Sequence, residues 1–297
     1  MGHSILQDHK SAVGAGNRAT SASAHGGYPP RKRKPITRIL LLEGAALDTG
    51  HKQIMLPSRK AAALLAYLAL TPGMKETRER LVGLLWSEME PAKARGSLRQ
   101  LLYCLRNTLD REAVGGLLID KLCVRLDRAA FTTDLESAFK SIDDGHPIDL
   151  VVHELCLADA ILLAYDDLDA SFHSWLTVTR ERLRRQMIAR LEGHLCASDR
   201  AERTKRFAQA LLQVDPTHEV ACRQLMCAHL ASGNTAAALN VYIQLWDCLD
   251  QTFEVEPSPR TQSLFVAIRS GSRSHFTETL SLPDLTSQSM GQLSFLL

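Results

Sequence analysis

Cationic and amide side chains are concentrated in residues 91–109, PAKARGSLRQLLYCLRNTL, where no acidic residue accompanies them. In the major groove of DNA, arginine can donate paired hydrogen bonds to guanine, and glutamine or asparagine can pair with adenine. Lysine and tyrosine are common contacts to phosphate oxygens or base edges. The candidate contact residues of this segment, which we call the cationic face, are Lys93, Arg95, Arg99, Gln100, Tyr103 and Arg106. Their chemistry suits a surface that meets a polyanion.

The same segment has the spacing of an amphipathic helix. Leu98, Leu105 and Leu109 fall on one side of a helical wheel, opposite the cationic face. Pro91 suits the first helical position, where a missing N–H costs little. Gly96 lies on the outer side, where it lowers helix stability by ~1 kcal/mol relative to alanine. We interpret this glycine as a point of close approach to DNA.

Further elements are predicted on both sides of this helix. Short β-like runs, ITRILLLEG and KQIMLP, come first, followed by an Ala/Leu-rich helix at 59–70 that ends at Thr71-Pro72-Gly73. Thr77 can cap a second helix, RERLVGLLW. After the basic helix, LLIDKLCVRL alternates Val124 and Leu126 against Arg125, which predicts a β-hairpin. Strands, three helices and a hairpin outline a winged helix-turn-helix, in which Lys121 and Arg125 would contact phosphates.

Composition and charge limit the class of protein. At 297 residues, with 45% hydrophobic and 23% charged residues, the chain has the size of about two globular domains. No apolar run approaches ~18 residues and no secretory signal is present, so we expect no membrane association. Seven cysteines without a framework spacing favour reduced thiols in the cytoplasm. Residues 31–134 carry 19 Lys and Arg against 11 Asp and Glu, and residues 135–297 carry 14 against 21, which indicates a basic module followed by an acidic one.

The chain divides into four predicted segments. They are a disordered basic arm at 1–35, a winged-helix domain at 36–134, an all-helical domain at 135–270 and a flexible tail at 271–297. From about Leu135 onward we expect helices only, at 175–196, 201–214, 217–232 and 235–253. Helix pairs with an acid-proline stop, as at Asp215-Pro216, predict a tetratricopeptide-like array. The predicted fold class is mainly α: a winged helix-turn-helix with a small β-sheet and wing hairpin, followed by that array.

The sequence gives no support for an enzyme. It contains no Walker loop, nucleophile elbow or H-E-x-x-H pair, so we expect no catalytic residues and no cofactor. His218, Cys222, Cys227 and His229 invite a zinc hypothesis. However, two cysteines five residues apart on one helix point to different faces, and the spacing matches no standard ligand pattern. We therefore interpret the thiols as part of a helical core and expect no metal.

A family resemblance rests on these segments. RKAAALLAYLALTPGMKETRERLVGLLWSEMEPAKARGSLRQLLYCLRNTL resembles the DNA-binding domain of the Streptomyces antibiotic regulatory protein (SARP) family. FHSWLTVTRERLRRQ, ALLQVDPTHEVACRQLMCAHLASGNTAAALNVY and VEPSPRTQSLF resemble the bacterial transcriptional activator domain that follows it there. The resemblance runs from about Ile36 to Ile268. The departures are Gly96, Phe253-Glu254 where a glycine is common, and LLAYDDLDA before Trp175.

The resemblance implies a transcriptional regulator, usually an activator, that binds repeats in double-stranded promoter DNA and recruits RNA polymerase. Such a protein would be cytoplasmic and associated with the nucleoid. The recognition helix of the family maps onto Pro91–Leu109, and Ser87–Glu90 corresponds to the segment that touches polymerase. A homodimer or tandem binding is expected, because one winged helix reads too few base pairs for genomic specificity. The alternative is a non-catalytic interaction scaffold that uses the helical array without specific DNA binding.

Overall fold

The computed structural model describes residues 36–271, except for 43, 45, 147–150, 153–154 and 197–200. Within this part a small β-sheet and a three-helix unit come first, and an array of long helices follows. The predicted fold class is thus confirmed. The arm at 1–35, with its basic run, and the tail from 272 onward lie outside the described residues.

A four-stranded sheet opens the described chain. Its strands are β1 (Thr37–Leu40), β2 (Ala46–Asp48), β3 (Gln53–Ile54) and the later β7 (Phe131–Thr133), in the order β3-β2-β1-β7. The β1–β2 and β2–β3 pairs are antiparallel, and β7 joins the sheet parallel to β1. Ile39 and Leu47 lie opposite each other in register and are fully buried, so one face of the sheet covers the core.

The three helices of the front half begin and end at local signals. They are α1 (Arg59–Leu70), α2 (Arg78–Leu85) and α3 (Pro91–Arg111). The Ser58 side chain accepts a hydrogen bond from the Ala61 N–H, and the Thr77 side chain accepts one from the Arg80 N–H, each at 3.2 Å, which satisfies donors that would otherwise be unpaired. The predicted bounds of α1 are confirmed, and α3 extends two residues beyond the predicted Leu109.

The wing is part of a three-stranded sheet. It consists of β4 (Lys75–Thr77), β5 (Leu117–Ile119) and β6 (Cys123–Leu126), in the order β4-β6-β5. The predicted β5–β6 hairpin is confirmed, with Val124 and Leu126 buried and Arg125 exposed. Strand β4 was not predicted, because its three residues become a strand only by pairing with β6.

The second half contains one small sheet among its helices. In chain order its elements are α4 (Asp134–Asp143), β8 (Val151–Val152), β9 (Leu155–Cys156), α5 (Leu157–Ala160), α6 (Ala170–Cys196), α7 (Ala201–Val214), α8 (Glu219–Ala231), α9 (Thr235–Phe253) and α10 (Pro259–Ser270). The prediction of helices only was wrong, because β8 and β9 form an antiparallel pair. The β-branched pair Val151-Val152 favours extended backbone.

Several helices in this half differ from the prediction. Helix α8 spans Glu219–Ala231 rather than the predicted 217–232. Helix α6 begins at Ala170 rather than Trp175, because the Asp169 carboxylate accepts a hydrogen bond from the Ser171 N–H at 3.0 Å and so starts the helix earlier. Helix α10 was not among the predicted helices, although Ser258 precedes it and Pro259 occupies its first turn. The predicted α7 and α9 are confirmed at both ends.

A single hydrophobic core continues from the front half into α6. Leu64 and Leu85 belong to the same buried cluster as Phe172, Leu176 and Met187 of α6, while a second cluster holds α8, α9 and α10 together. The division at residue 134 remains a prediction. None of the helices in the described residues is both long and apolar enough to cross a membrane.

Polar contacts fasten the loop between α2 and α3 to the start of α6. The Asp169 carboxylate accepts hydrogen bonds from the Ser87 N–H at 3.0 Å and from the Ser87 hydroxyl at 2.7 Å. A guanidinium nitrogen of Arg182, on α6, donates to the Leu70 carbonyl at 3.2 Å, and Arg59 pairs with Asp167. The front half is therefore held against the second half through contacts at α1 and at the loop between α2 and α3.

Candidate nucleic-acid interface

Helix α3 is positioned by one apolar side. Ala94, Leu98, Leu102, Leu105 and Leu109 are buried in the shared core. The opposite side carries the cationic face. All of its members are exposed: Lys93, Arg95, Arg99, Gln100, Tyr103 and Arg106. The sequence pattern therefore places these side chains where a DNA groove could receive them, and the burial of the leucines sets their direction.

Only weak internal contacts hold the arginines of this face. Among the described residues, the one acid in ion-pair contact with the cationic face is Glu79 of α2, whose Oε2 lies 3.4 Å from Nη1 of Arg95. Both side chains are largely exposed, and such pairs contribute about 0–1 kcal/mol. A DNA phosphate or base could replace Glu79 at little cost, so Arg95 remains available for binding.

The N-terminus of α3 is already occupied by the chain's own carboxylate. Glu90 accepts hydrogen bonds from the N–H groups of Ala92 and Lys93, both at 3.0 Å. These two backbone donors lower the pKa of Glu90. Phosphate binding at a free helix N-terminus would therefore have to displace Glu90. The donors that α3 leaves free for an anion are therefore on its side chains.

Packing within the described part of the chain does not require a glycine at position 96. Gly96 lies in the cationic side of α3, and a Cβ added there would meet only the Arg99 guanidinium, at 3.7 Å, which is ordinary contact. Alanine would fit and would favour the helix by ~1 kcal/mol. The glycine thus leaves open space on the outer side of α3, as close approach of a partner to the helix backbone requires.

The wing tip is held in one shape by Asp120. Its carboxylate accepts hydrogen bonds from the N–H groups of Leu122 and Cys123, both at 2.7 Å, and from the Cys123 thiol at 2.8 Å. These hydrogen bonds lower the pKa of Asp120 to about 2, and the bond from the Cys123 thiol is the largest cause. Lys121, at the tip, and Arg125, on β6, are both exposed. The wing is therefore a built turn that presents two cations to solvent.

Lys75 is a basic residue of this surface that the sequence reasoning missed. It lies on β4 directly opposite Arg125 of β6 in the antiparallel register, and both side chains are exposed. We call Lys75 and Arg125 the wing pair. Like charges at directly opposite positions destabilise a sheet, and a phosphate between them would remove that repulsion. No local pattern indicates this pairing, because β4 and β6 bring together residues fifty positions apart in the chain.

The residues considered for zinc have other roles. His218 caps α8 by accepting a hydrogen bond from the Ala221 N–H at 3.1 Å, and its other ring nitrogen lies 2.9 Å from Glu192. Burial raises the pKa of the Cys222 thiol to about 12, so that it stays protonated at neutral pH. Within the described ranges, no three His, Cys, Asp or Glu side chains are grouped as a metal site would require.

Comparisons with known proteins agree with this architecture. A family model described as the bacterial transcriptional activator domain matches residues 155–269. The chain is 23% identical over 248 residues to the transcriptional regulatory protein MoaR1 of Mycobacterium tuberculosis, which covers 74% of this chain and 75% of MoaR1. It is 26% identical over 231 residues to the regulatory protein DnrI of Streptomyces peucetius, which covers 71% of this chain and 84% of DnrI.

A solved structure supports the fold. The structure of Mycobacterium tuberculosis EmbR in complex with a low affinity phosphopeptide superposes with a TM-score of 0.52 at 19% identity, over 79% of this chain and 65% of the EmbR chain. The chain thus spans slightly less than two thirds of EmbR. At this identity the likeness concerns the fold alone.

A winged helix whose third helix has an exposed cationic side, joined to a matched transcriptional activator domain, defines a DNA-binding regulator of transcription. The two relatives are named as a transcriptional regulatory protein and a regulatory protein. The resemblance of the second half to the bacterial transcriptional activator domain is confirmed by the match at 155–269, and the chain is similar to such regulators over about 70% of its length.

Proposed function

We propose that α3 enters the major groove of promoter DNA and that the cationic face reads base edges there. The observation that carries this proposal is the exposure of all six side chains of the face on one side of α3, with no acidic residue among them. In this reading Arg95, Arg99 and Arg106 donate to guanine and Gln100 to adenine. Lys93 and Tyr103 contact phosphates or base edges.

The wing holds the backbone beside that groove in this proposal. Lys75 and Arg125 lie on neighbouring strands of the wing sheet, and Lys121 lies in the turn between β5 and β6. Cations that neutralise phosphates add affinity without sequence preference and make binding depend on salt. This division assigns specificity to α3 and the general attraction for DNA to the wing.

The loop Ser87–Glu90 is proposed to contact RNA polymerase, which would make the protein an activator. Each residue of the loop is exposed, including 41% of Met89, and Ser87 is fixed to Asp169 of the helical array. A loop held in one shape loses less entropy when a partner binds. We also propose binding to repeated half-sites, as a homodimer or in tandem, because a single module reads few base pairs. The protein would act in the cytoplasm, at the nucleoid, without a catalytic step.

Selection of duplexes from a random pool tests this function. The full chain should enrich one short motif, in repeated copies, from a pool of random 30-base-pair duplexes. A variant with Arg99→Ala, Gln100→Ala and Arg106→Ala should still bind duplex DNA at low salt but enrich no motif. The scaffold alternative predicts no enrichment by either protein and no salt-dependent DNA binding. Retention of the same motif by the triple variant would refute the role of the cationic face.

A further inference from the structure

A cleft of about 630 Å³ lies between α2 of the winged helix and α6 of the helical array. Leu84, Trp175 and Val178 supply apolar walls, and Arg80 and Ser174 supply polar groups. This volume lies within the range of small-molecule sites, which are mostly apolar with a few placed polar groups. The residues that line the cleft belong to α2 and α6, so the proposed contact of α3 with DNA does not account for it.

Gly83 allows an occupant of the cleft to approach the backbone of α2 closely. It lies in the middle of α2, is exposed and lines the cleft, yet a Cβ added to it would meet no atom within 4 Å. Its φ is not positive, so the backbone does not require glycine. Alanine would make α2 more stable. Nothing in the described residues explains a glycine here, whereas an occupant seated against the α2 backbone does.

The walls of the cleft select for a flat apolar body. The Trp175 ring is backed by Tyr67 at 4.8 Å and by Phe172 at 5.1 Å between ring centroids. These contacts fix the orientation of the indole. Val178 beside it is 70% exposed. An aromatic ring laid on these side chains would bury apolar surface and stack against a fixed partner.

One cation of the cleft, Arg80, can receive an anion. Arg80 lies near the Tyr67 hydroxyl, which itself donates to Glu76 at 2.7 Å. Across the described part of the chain, Arg80 takes part in no ion pair. The other charged residue of the cleft, Glu79, lies 3.4 Å from Arg95. A guanidinium whose partner is a neutral hydroxyl can still pair with a carboxylate, and arginine suits that geometry.

We propose that this cleft binds a small organic carboxylate with a flat, apolar body. The body lies on Trp175, Leu84 and Val178 against the backbone at Gly83, and the carboxylate pairs with Arg80. The lining residues of α6 run from Ser171 to Val178, a span of about 10 Å along a helix. That length fits a two-ring acid better than a protein helix with anchors over three turns. Such a ligand would touch both the winged helix and the helical array.

The test is a titration of the full chain with 2-naphthoate, followed by the indole N–H signals in ¹⁵N-tryptophan NMR spectra. The probe has about 13 heavy atoms, and ordinary ligand efficiency then gives a Kd of about 1 mM. The Trp175 signal should shift with this Kd, and the signal of Trp246, on α9, should not. The uncharged analogue 2-naphthalenemethanol should bind about three- to tenfold more weakly, because it lacks the charge that pairs with Arg80.

Matched variants locate the site. Gly83→Leu should raise the Kd for 2-naphthoate at least tenfold without lowering Tm. Gly193→Leu, at an exposed glycine of α6 with the same free space, should leave the Kd unchanged. Arg80→Gln should weaken binding of the acid and leave binding of the alcohol unchanged.

Three results would overturn the proposal. They are no shift of the Trp175 signal up to 10 mM probe, an unchanged Kd in Gly83→Leu, and an equal loss of acid and alcohol binding in Arg80→Gln. If the probe does not bind but Gly83→Leu reduces transcription by purified polymerase at unchanged DNA affinity, the cleft receives a protein segment instead. Because the titration contains no DNA, its outcome is independent of the proposed role of α3.

Discussion

Replacing Lys75 by glutamine should have opposite effects on the free protein and on its DNA complex. Lys75 and Arg125 are directly opposite on β4 and β6. For two charges about 7 Å apart in water, Coulomb's law gives a repulsion of about 0.6 kcal/mol. The attraction of Lys75 to the nearby Asp120 carboxylate offsets part of it. Lys75→Gln should therefore raise the free energy of unfolding at low salt by a few tenths of a kcal/mol.

The same change should weaken DNA binding in a salt-dependent way. Each phosphate contact adds about 0.9 to the slope of log K against log salt concentration. Between 50 and 200 mM salt, one contact therefore accounts for a change in affinity of about 3.5-fold. Lys75→Gln should bind every duplex more weakly at 50 mM, and its slope should be smaller than that of the wild type by ~1. The double variant with Arg125→Gln should lose ~2 from the slope.

Fluorescence anisotropy with a selected duplex and a scrambled one, at five salt concentrations, measures both slopes, and urea denaturation measures stability. Arg206→Gln removes one exposed charge from α7 and serves as the control. Its salt slope should equal that of the wild type. An unchanged slope in Lys75→Gln would show that the wing pair does not touch phosphate. A loss of stability of 1 kcal/mol or more would show that the two cations do not repel each other in the free protein.

Three further outcomes follow from the same surface. Lys121→Ala should weaken binding to all sequences equally and reduce the salt slope by ~1; a change of preferred motif in selected pools would contradict this. Thr77→Ala should lower the free energy of unfolding by about 1 kcal/mol, since it removes the cap of α2, and Thr177→Ala, at an exposed position inside α6, should cost less. Asp120 stabilises the wing as a carboxylate with a pKa of about 2. The difference in free energy of unfolding between wild type and Asp120→Asn should have its largest value above pH 4 and become smaller toward pH 2. A difference that stays constant during acid denaturation would contradict this role of the Asp120 carboxylate.

The helices of the front half were predictable because their signals are local. Ser58 and Thr77 lie immediately before the helices that they cap, and Pro91 opens α3 at the first position. The direction of the cationic face also followed from the sequence, because the leucines of α3 repeat at helical spacing and can be buried only on one side.

The features that were missed depend on residues far apart in the chain. Strand β4 exists because Lys75–Thr77 pairs with β6, nearly fifty residues later. The ion pair between Arg95 and Glu79 requires the packing angle of α2 and α3. The cleft requires α2, which carries Gly83, and α6, which carries Trp175, to lie side by side. The periodicity of residues within one helix or strand does not indicate which distant residues it will contact.

Removal of a single acceptor atom from DNA tests most directly whether α3 reads bases. In the selected site, each guanine is replaced in turn by 7-deazaguanine, which lacks the N7 acceptor of the major groove, and the Kd is measured for wild type, Arg99→Ala and the control Arg206→Gln. At one guanine, we expect the replacement to cost the wild type and the control about 5- to 150-fold and to cost Arg99→Ala nothing further. If each replacement raises the Kd of Arg99→Ala by the same factor as that of the wild type, Arg99 does not contact a guanine N7 and the proposed reading by α3 loses its main contact.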